Sequence, residues 1–282
     1  MKKIPPAIRY MILSTMAFAC MNGLIKFLIQ FPTFELVFFR SLGTLLITAF
    51  ILKSRKISFR PNKPVLLIVR GLIGVTSMCL FFLAAHYIPI GSAVTIRYIA
   101  PIFGGVLAVI FLKEKIFPLQ WFFYFLAFVG VVFIKGFDAS ISMLGVNLVL
   151  AAAFFSAIVY ILIAMIGQQD HPLLVVFYFM FIATVVGAIG SGFDWLMPNS
   201  TELLLLVLLG IFGYYGQLYM TKAFQVGEAS KVAPFKYVEV VFTLTVGVFW
   251  FEEVYTMYSL IGIFLVVSSL TLSVLYKSYK SA

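Results

Sequence analysis

Long apolar runs recur along the whole chain, and only short polar connections separate them. A helix of about 20 apolar residues crosses the roughly 30 Å hydrocarbon core of a bilayer. Hydrophobic pattern and turn signals divide the runs into ten candidate spans. These are Ile8–Ile29, Phe34–Leu52, Val65–Tyr87, Gly91–Leu112, Pro118–Ile134, Leu144–Ile166, Leu173–Gly192, Glu202–Ala223, Ser230–Phe251 and Thr256–Tyr276. The pattern predicts an all-α integral membrane protein with ten transmembrane helices.

The composition supports a membrane protein and changes the meaning of the net charge. Of the 282 residues, 63% are hydrophobic and 11% are charged, whereas a soluble domain carries about 25% charged residues. In a soluble protein a net charge of +10 would suggest nucleic-acid binding. Here the basic residues lie in short loops and at the termini, so we predict the bilayer as a partner and no nucleic acid.

The basic residues also predict the orientation in the membrane. They gather before the first span, between the second and third, after the fourth and after the last: Lys2, Lys3, Arg9, Lys53, Arg55, Lys56, Arg60, Lys63, Lys113, Lys115, Lys277 and Lys280. The opposite loops carry one basic residue, Lys135, and five acidic residues: Asp138, Asp194, Glu202, Glu252 and Glu253. Because positive loops stay inside the cell, we predict a multi-pass protein of the inner (plasma) membrane, with both termini cytoplasmic.

One stretch of the chain has an echo in the second half. A shift of 139 positions aligns Ala84–Glu114 with Ala223–Glu253, and this places Arg97 on Lys236 and Tyr98 on Tyr237. Each half then holds five spans, an odd number, so the second half enters the membrane from the opposite face. We therefore predict two inverted five-helix repeats, residues 1–140 and 141–282, an architecture that many secondary transporters use.

The motifs of the two halves resemble a known family. Each half holds a helix that starts in a Gly-x-Ala-Ser-like motif and ends in FLKE or FWFEE before the last helix. This is similar to the drug/metabolite transporter superfamily, and more narrowly to its EamA-type members. Such proteins are secondary carriers of small solutes, among them amino acids, nucleotide sugars and S-adenosylmethionine. The resemblance implies alternating access around a central cavity between the halves.

Three charged residues inside the spans are the main candidates for binding substrate, because an intramembrane charge usually serves function. At about 1.5 Å per residue, Arg97 lies about 9 Å from the outer face and Lys236 about as far from the cytoplasmic face. An anionic group would meet each in turn. Glu239, at a depth of about 13 Å, is a candidate for proton coupling or for binding an ammonium group. The structural alternatives are a local Lys236–Glu239 ion pair and a bridge from Arg97 to Glu35.

Polar and aromatic residues deep in other spans complete the candidate site. They are Asn22, Lys26, Tyr98, Tyr160, Tyr214, Tyr215, Gln217 and Tyr237, and they predict a cavity with aromatic walls and a few polar contacts. Arg40 and Arg70 lie nearer to span ends. We interpret Arg40 as reaching the lipid headgroups and Arg70 as a topology signal.

The chain lacks the motifs of phosphate loops, zinc proteases and nucleophile–base pairs. We predict no enzyme activity, no cofactor and no metal. The predicted function is secondary active transport of a small organic metabolite, either an amino-acid-like or an S-adenosylmethionine-like zwitterion. The alternatives are a carrier of carboxylates or other organic anions, a drug exporter, and, least favoured, a membrane-embedded transferase. Protons or a counter-transported solute are the candidate coupling partners.

Overall fold

The computed structural model describes residues 5–97, 99–100, 102–104, 106–107, 117–136, 142–192, 194–227, 235–236, 238–252 and 254–280. All regular structure within these ranges is helical, which confirms the predicted all-α class. Parts of the aligned stretches lie outside the described residues, among them Tyr98, Pro101, Glu114, Tyr237 and Glu253.

The described α-helices are α1 (Pro6–Phe27), α2 (Thr33–Ser54), α3 (Pro64–Ala84), α4 (Ile90–Arg97), α5 (Pro118–Gly136), α6 (Met143–Ile166), α7 (Pro172–Ser191), α8 (Ser200–Val226), α9 (Val238–Phe251) and α10 (Met257–Lys280). Eight of them follow the predicted spans to within a few residues, and the other two, α4 and α9, cover only a described part of spans four and nine. In the described part of the chain, six of these helices (α1, α2, α3, α6, α7 and α8) are long and apolar enough to cross a membrane, and shorter apolar helices accompany them. The count of ten crossings and their inversion remain predictions.

Local sequence signals account for several helix starts. Proline occupies the first turn of α1, α3 and α7, where its missing N–H is not needed. At the start of α8, the Asn199 side chain accepts the backbone N–H of Glu202 at 2.9 Å, and the Glu202 carboxylate accepts that of Asn199 at 2.8 Å. This reciprocal capping box begins α8 after a polar loop.

The closest helix packings join the first half to the second. Helix α1 packs on α8 and α9, whereas α6 packs on α3 and α4; α2 packs on α7, and α5 on α10. If each helix of one half is replaced by the equivalent helix of the other half (α1 by α6, α2 by α7 and so on), each of these packings becomes another of them or itself. The two halves therefore make corresponding contacts.

Two tight crossings illustrate this correspondence at the level of single residues. Helices α2 and α8 cross where a Cβ on Gly210 would lie 2.9 Å from the Cα of Gly43. Helices α3 and α7 cross where a Cβ on Gly71 would overlap the side chain of Ile182. A shift of 139 takes Gly43 to Ile182 and Gly71 to Gly210. Small residues thus permit close approach at equivalent places in both halves.

Candidate functional site

A pocket with a cavity volume of about 80 Å³ lies between the two halves. Residues from α1, α2, α3, α4, α6, α7 and α8 line it, together with Lys236, which precedes α9. Four of the lining side chains are cationic: Arg40, Arg70, Arg97 and Lys236. No carboxylate is among the described residues that line the pocket.

Arg97 ends the described part of α4 and is held between an aromatic ring and an acid. Its guanidinium carbon lies 4.0 Å from the centroid of the Phe81 ring, and its NH2 lies 3.8 Å from Oε1 of Glu239. The same Oε1 accepts a hydrogen bond from Nδ2 of Asn22 at 2.9 Å. Glu239 therefore links α1, α4 and α9 beside the pocket. Glu35, the alternative partner considered for Arg97, accepts the backbone N–H of Leu196 at 3.0 Å instead.

Lys236 makes a contact equivalent to that of Arg97. Its ammonium donates to the Tyr160 hydroxyl at 2.6 Å and lies 4.6 Å from the centroid of that ring. It also approaches Sδ of Met220 at 3.8 Å. A shift of 139 takes Phe81 to Met220, so each cation packs on the equivalent residue of its own half. Arg97 and Lys236, which correspond under the shift of 139, therefore also have corresponding neighbours in the structure.

Arg40 does not reach the headgroups, and that interpretation was wrong. Its side chain is 3% exposed and lines the pocket. The Nε group donates to Sδ of Met21 at 3.2 Å, and NH1 contacts Sδ of Met78. Thioether sulfur is a weak acceptor. Arg40 is therefore a buried cation with weak partners, because the face of α2 on which it lies packs inward against α1, α3 and α8.

Arg70 is not a topology signal either. It is 1% exposed, and its guanidinium carbon lies 4.0 Å above the centroid of the Phe179 ring on α7. Within the described structure, its Nε and NH1 have no hydrogen-bond partner. Gly74, one turn along, leaves the space: a Cβ there would lie 2.8 Å from the Phe179 ring and 3.3 Å from NH1 of Arg70. The side chain thus enters the pocket from α3.

The structure brings part of the predicted site together. Asn22, Arg97 and Glu239 form one cluster, and Tyr160, Gln217 and Lys236 line the pocket. The other three described candidates, Lys26, Tyr214 and Tyr215, do not line it. Lys26 lies in the last turn of α1, Tyr214 packs in an apolar cluster with Leu218, and Tyr215 is 45% exposed. Two further candidates, Tyr98 and Tyr237, lie outside the described residues.

Several residues that line the pocket were not predicted from the sequence, although those on α3 follow a recognisable sequence pattern. Arg70, Gly74, Ser77, Met78 and Phe81 all line the pocket, and their spacing of three or four residues places them on one face of the helix. That face combines a charge, a glycine and a hydroxyl in an otherwise apolar helix. Arg40 carries a weaker signal, since it lies seven residues into α2, about 10 Å along its axis.

Comparison with known proteins places these features in context. The sequence profile of the EamA-like transporter family matches residues 5–136 and again residues 143–275. The chain is 30% identical over 268 residues to the pseudopaline exporter of Pseudomonas aeruginosa, covering 93% of this chain and 94% of the exporter. It is 27% identical over 251 residues to the S-adenosylmethionine uptake transporter of Rickettsia prowazekii, covering 88% and 85%.

A human protein and a solved structure extend the likeness. Solute carrier family 35 member G1 is 28% identical over 291 residues, with 97% of this chain and 80% of that protein covered. One crystal structure superposes with a TM-score of 0.69 at 17% identity, covering 98% of this chain and 96% of the other. At that identity the superposition supports the fold.

Proposed function

Because the chain belongs to the EamA-like transporter family, we propose that it is a secondary carrier of a small organic anion and works by alternating access. Membership makes it a multi-pass membrane transporter rather than an enzyme. The substrate and the mechanism are our proposals. Its location is the inner membrane of a bacterial-type cell, with both termini cytoplasmic.

Alternating access between two inverted halves, residues 1–140 and 141–282, has two supports. The family profile matches the chain twice in succession. The helix packings and the two tight crossings also correspond under exchange of the halves. In an inverted repeat, each half can adopt in turn the conformation of the other, which exposes a central site first to one face and then to the opposite face.

The positive charge of the pocket is the reason for proposing an anionic substrate. Four cationic side chains line it, and the neighbouring carboxylate of Glu239 is already engaged by Asn22 and Arg97. Guanidinium and ammonium groups form charge-assisted hydrogen bonds with carboxylates. Lys236 and Arg97, one from each half, therefore offer an anionic substrate a partner in both conformations.

A zwitterionic substrate is the second candidate, and the Arg97–Glu239 distance favours it. At 3.8 Å the pair is longer than a good hydrogen bond, so a substrate could insert its carboxylate at Arg97 and its amine at Glu239. An amino-acid-like or S-adenosylmethionine-like solute has this chemistry. A hydrophobic cationic drug is disfavoured by four cations in the wall.

Uptake into proteoliposomes tests the proposal. Vesicles containing the purified protein are given labelled butanoate, alanine or tetraphenylphosphonium, with and without unlabelled solute inside. A carrier of organic anions gives saturable butanoate uptake that accelerates with internal butanoate. The Arg97→Ala variant loses this flux, and Arg9→Ala, which removes an exposed arginine at the start of α1, retains it.

Two results would sink the proposal. One is flux that does not saturate, which indicates a channel. The other is saturable transport of tetraphenylphosphonium with none of butanoate. Saturable alanine uptake that is lost in both Arg97→Ala and Glu239→Ala would select the zwitterion. Imposing a pH gradient in the same vesicles asks whether protons or a counter-transported solute drive the transport.

A further inference from the structure

We propose that the pocket binds an organic anion carrying at least two negative charges, and that Arg70 and Arg40 form a second anion-binding subsite beside Arg97 and Lys236. This rests on the proposed function, since it specifies the class of anion that the carrier takes. The family profile and the named relatives assign no role to either residue.

Arg70 provides the first argument. It is a permanent cation that is 1% exposed, it lines the pocket, and its Nε and NH1 find no acceptor among the described residues. A guanidinium carries five N–H donors and is costly to bury without acceptors. The face of the Phe179 ring, 4.0 Å away, attracts the charge and fixes its plane but accepts no conventional hydrogen bond. The geometry thus leaves donors directed at an acceptor that arrives with the substrate.

Arg40 provides the second argument. Its guanidinium is buried against the thioethers of Met21 and Met78 and lies 5.8 Å from the Phe82 ring. None of these partners is an anion. Arg40 lies close enough to Arg70 and to Arg97 for their like charges to repel one another. An anion between them replaces this repulsion with attraction.

The balance of charge sets the valence of the substrate. Four cations against the single carboxylate of Glu239 leave an excess of three positive charges around the pocket, counted over the described residues. A monocarboxylate compensates one of these and leaves the second cluster without a counter-ion. A di- or tricarboxylate reaches both clusters and compensates two or three charges.

The two clusters also differ in how they are built. Glu239 and Tyr160 already supply oxygen partners to Arg97 and Lys236, whereas among the described residues Arg40 and Arg70 have sulfur and ring partners only. Positions 40 and 70 correspond to Phe179 and Leu209 under the shift of 139. The second subsite therefore belongs to the first half alone, and it orients an asymmetric polyanion in the pocket.

A series of carboxylates of similar length tests the proposal on the wild-type protein. Butanoate, butanedioate and propane-1,2,3-tricarboxylate are titrated into the purified full-length chain at about pH 7.5, where all their carboxyl groups are ionised, and at constant ionic strength. Binding is measured calorimetrically and by thermal stabilisation. The di- and tricarboxylate are expected to bind at least about tenfold more tightly than butanoate.

The variant Arg70→Leu tests which residue provides the preference. It copies the leucine that the second half has at the equivalent position, 209, and it removes a buried charge. We expect it to lose on the order of tenfold in affinity for butanedioate and at most about threefold for butanoate. Arg40→Gln should reduce the preference in the same direction, and Arg9→Leu should leave it unchanged.

Equal affinity of the wild-type protein for butanoate and butanedioate would overturn the proposal, as would an Arg70→Leu variant that keeps the wild-type ratio. The wild-type series decides the matter even if a variant fails to fold. If butanoate is carried with trans acceleration but dianions gain nothing, only this proposal fails. If no organic anion binds at all, the proposed function fails with it.

Discussion

The two halves of the protein share a scaffold but differ in chemistry at equivalent positions. Gly74 makes room for Phe179, and Gly213 corresponds to Gly74 under the shift of 139. A Cβ added to Gly213 would lie 3.2 Å from the Arg40 side chain. Phe179 itself corresponds to Arg40. The same small-residue pocket in the helix packing thus accommodates an arginine in one half and a phenylalanine in the other.

The comparison distinguishes the helix packing, which is similar in the two halves, from the pocket side chains, which differ. The alternating access that we propose needs the halves to exchange conformations, and the corresponding packings support this proposal. Binding a substrate in one orientation needs unlike groups, and Arg40 and Arg70 of the first half correspond to Phe179 and Leu209 of the second under the shift of 139. Only Arg97 and Lys236 keep a positive charge in both halves.

The largest expected effect comes from removing the charge whose partner is most buried. Arg97→Ala leaves Glu239, which is 0% exposed, without its guanidinium, so we expect a loss of about 3 kcal/mol in the free energy of unfolding together with loss of transport. The double variant Arg97→Ala, Glu239→Gln should recover most of the stability and none of the transport. Stability measured by denaturant titration and uptake measured in vesicles would separate the two. Recovery of both would show that Arg97 serves structure alone.

Arg70→Leu should act in the opposite sense on stability. Because Nε and NH1 of the buried Arg70 have no acceptor among the described residues, its replacement by leucine is expected to stabilise the empty protein by about 2 kcal/mol. The melting temperature without ligand should rise while stabilisation by butanedioate falls. A drop in the melting temperature of a monodisperse variant would mean that Arg70 has a structural role, contrary to our account.

The helix crossings provide a smaller test of the scaffold. Gly210→Ala places a Cβ 2.9 Å from the Cα of Gly43. The atoms it would meet belong to the backbone, so the helices themselves would have to move apart, and we expect a loss of about 2 kcal/mol in the free energy of unfolding. Gly71→Ala meets the flexible Ile182 side chain and should lose less. Gly192→Ala is the matched control, since its Cβ would meet nothing nearer than 3.4 Å. Thermal unfolding that ranks these variants otherwise would contradict the crossing geometry.

The smallest expected effect concerns the start of α7, where the halves differ again. His171 caps α7, its Nδ1 accepting the Leu173 N–H at 3.2 Å, whereas the equivalent Pro32 before α2 offers no side-chain cap. Burial, with the charges of Lys222 and Arg55, lowers the pKa of His171 below its usual value. The unfolded chain therefore binds a proton at higher pH than the folded protein, and stability falls as pH drops below about 6.5.

His171→Asn keeps a capping acceptor and removes the titration. The melting temperature of the variant should then vary less between about pH 7 and pH 5 than that of the wild-type protein. An unchanged slope in the variant would exclude His171 as a source of the pH dependence.

Much of the fold could be read from the sequence because membrane helices are long and apolar. The predicted span Phe34–Leu52 became α2 at Thr33–Ser54, and Leu144–Ile166 became α6 at Met143–Ile166. The predicted start of span nine, Ser230, lies outside the described residues, and the described helix of that span is Val238–Phe251. The resemblance to EamA-type carriers is confirmed by the family match.

Less of the site could be predicted, because burial of a charge depends on packing between distant helices. The shift of 139 identified Arg97 and Lys236, but the partners Asn22 and Glu239 meet only through the packing of α1 on α9. Distance from a span end suggested that Arg40 and Arg70 contact lipid headgroups or loops. The two side chains point inward because α7 and α8 pack on the faces of α2 and α3 that carry them.

Countertransport is the most direct test of the central claim that this is an anion carrier with a cationic pocket. Vesicles loaded with unlabelled butanedioate are placed in labelled butanedioate, and uptake by the wild-type protein is compared with that by Arg97→Ala, Lys236→Ala and Arg9→Ala. Our account predicts saturable uptake that internal butanedioate accelerates, retained in Arg9→Ala and lost in the other two variants. Full-rate uptake by both pocket variants, or no uptake of any organic anion by the wild-type protein, would contradict it.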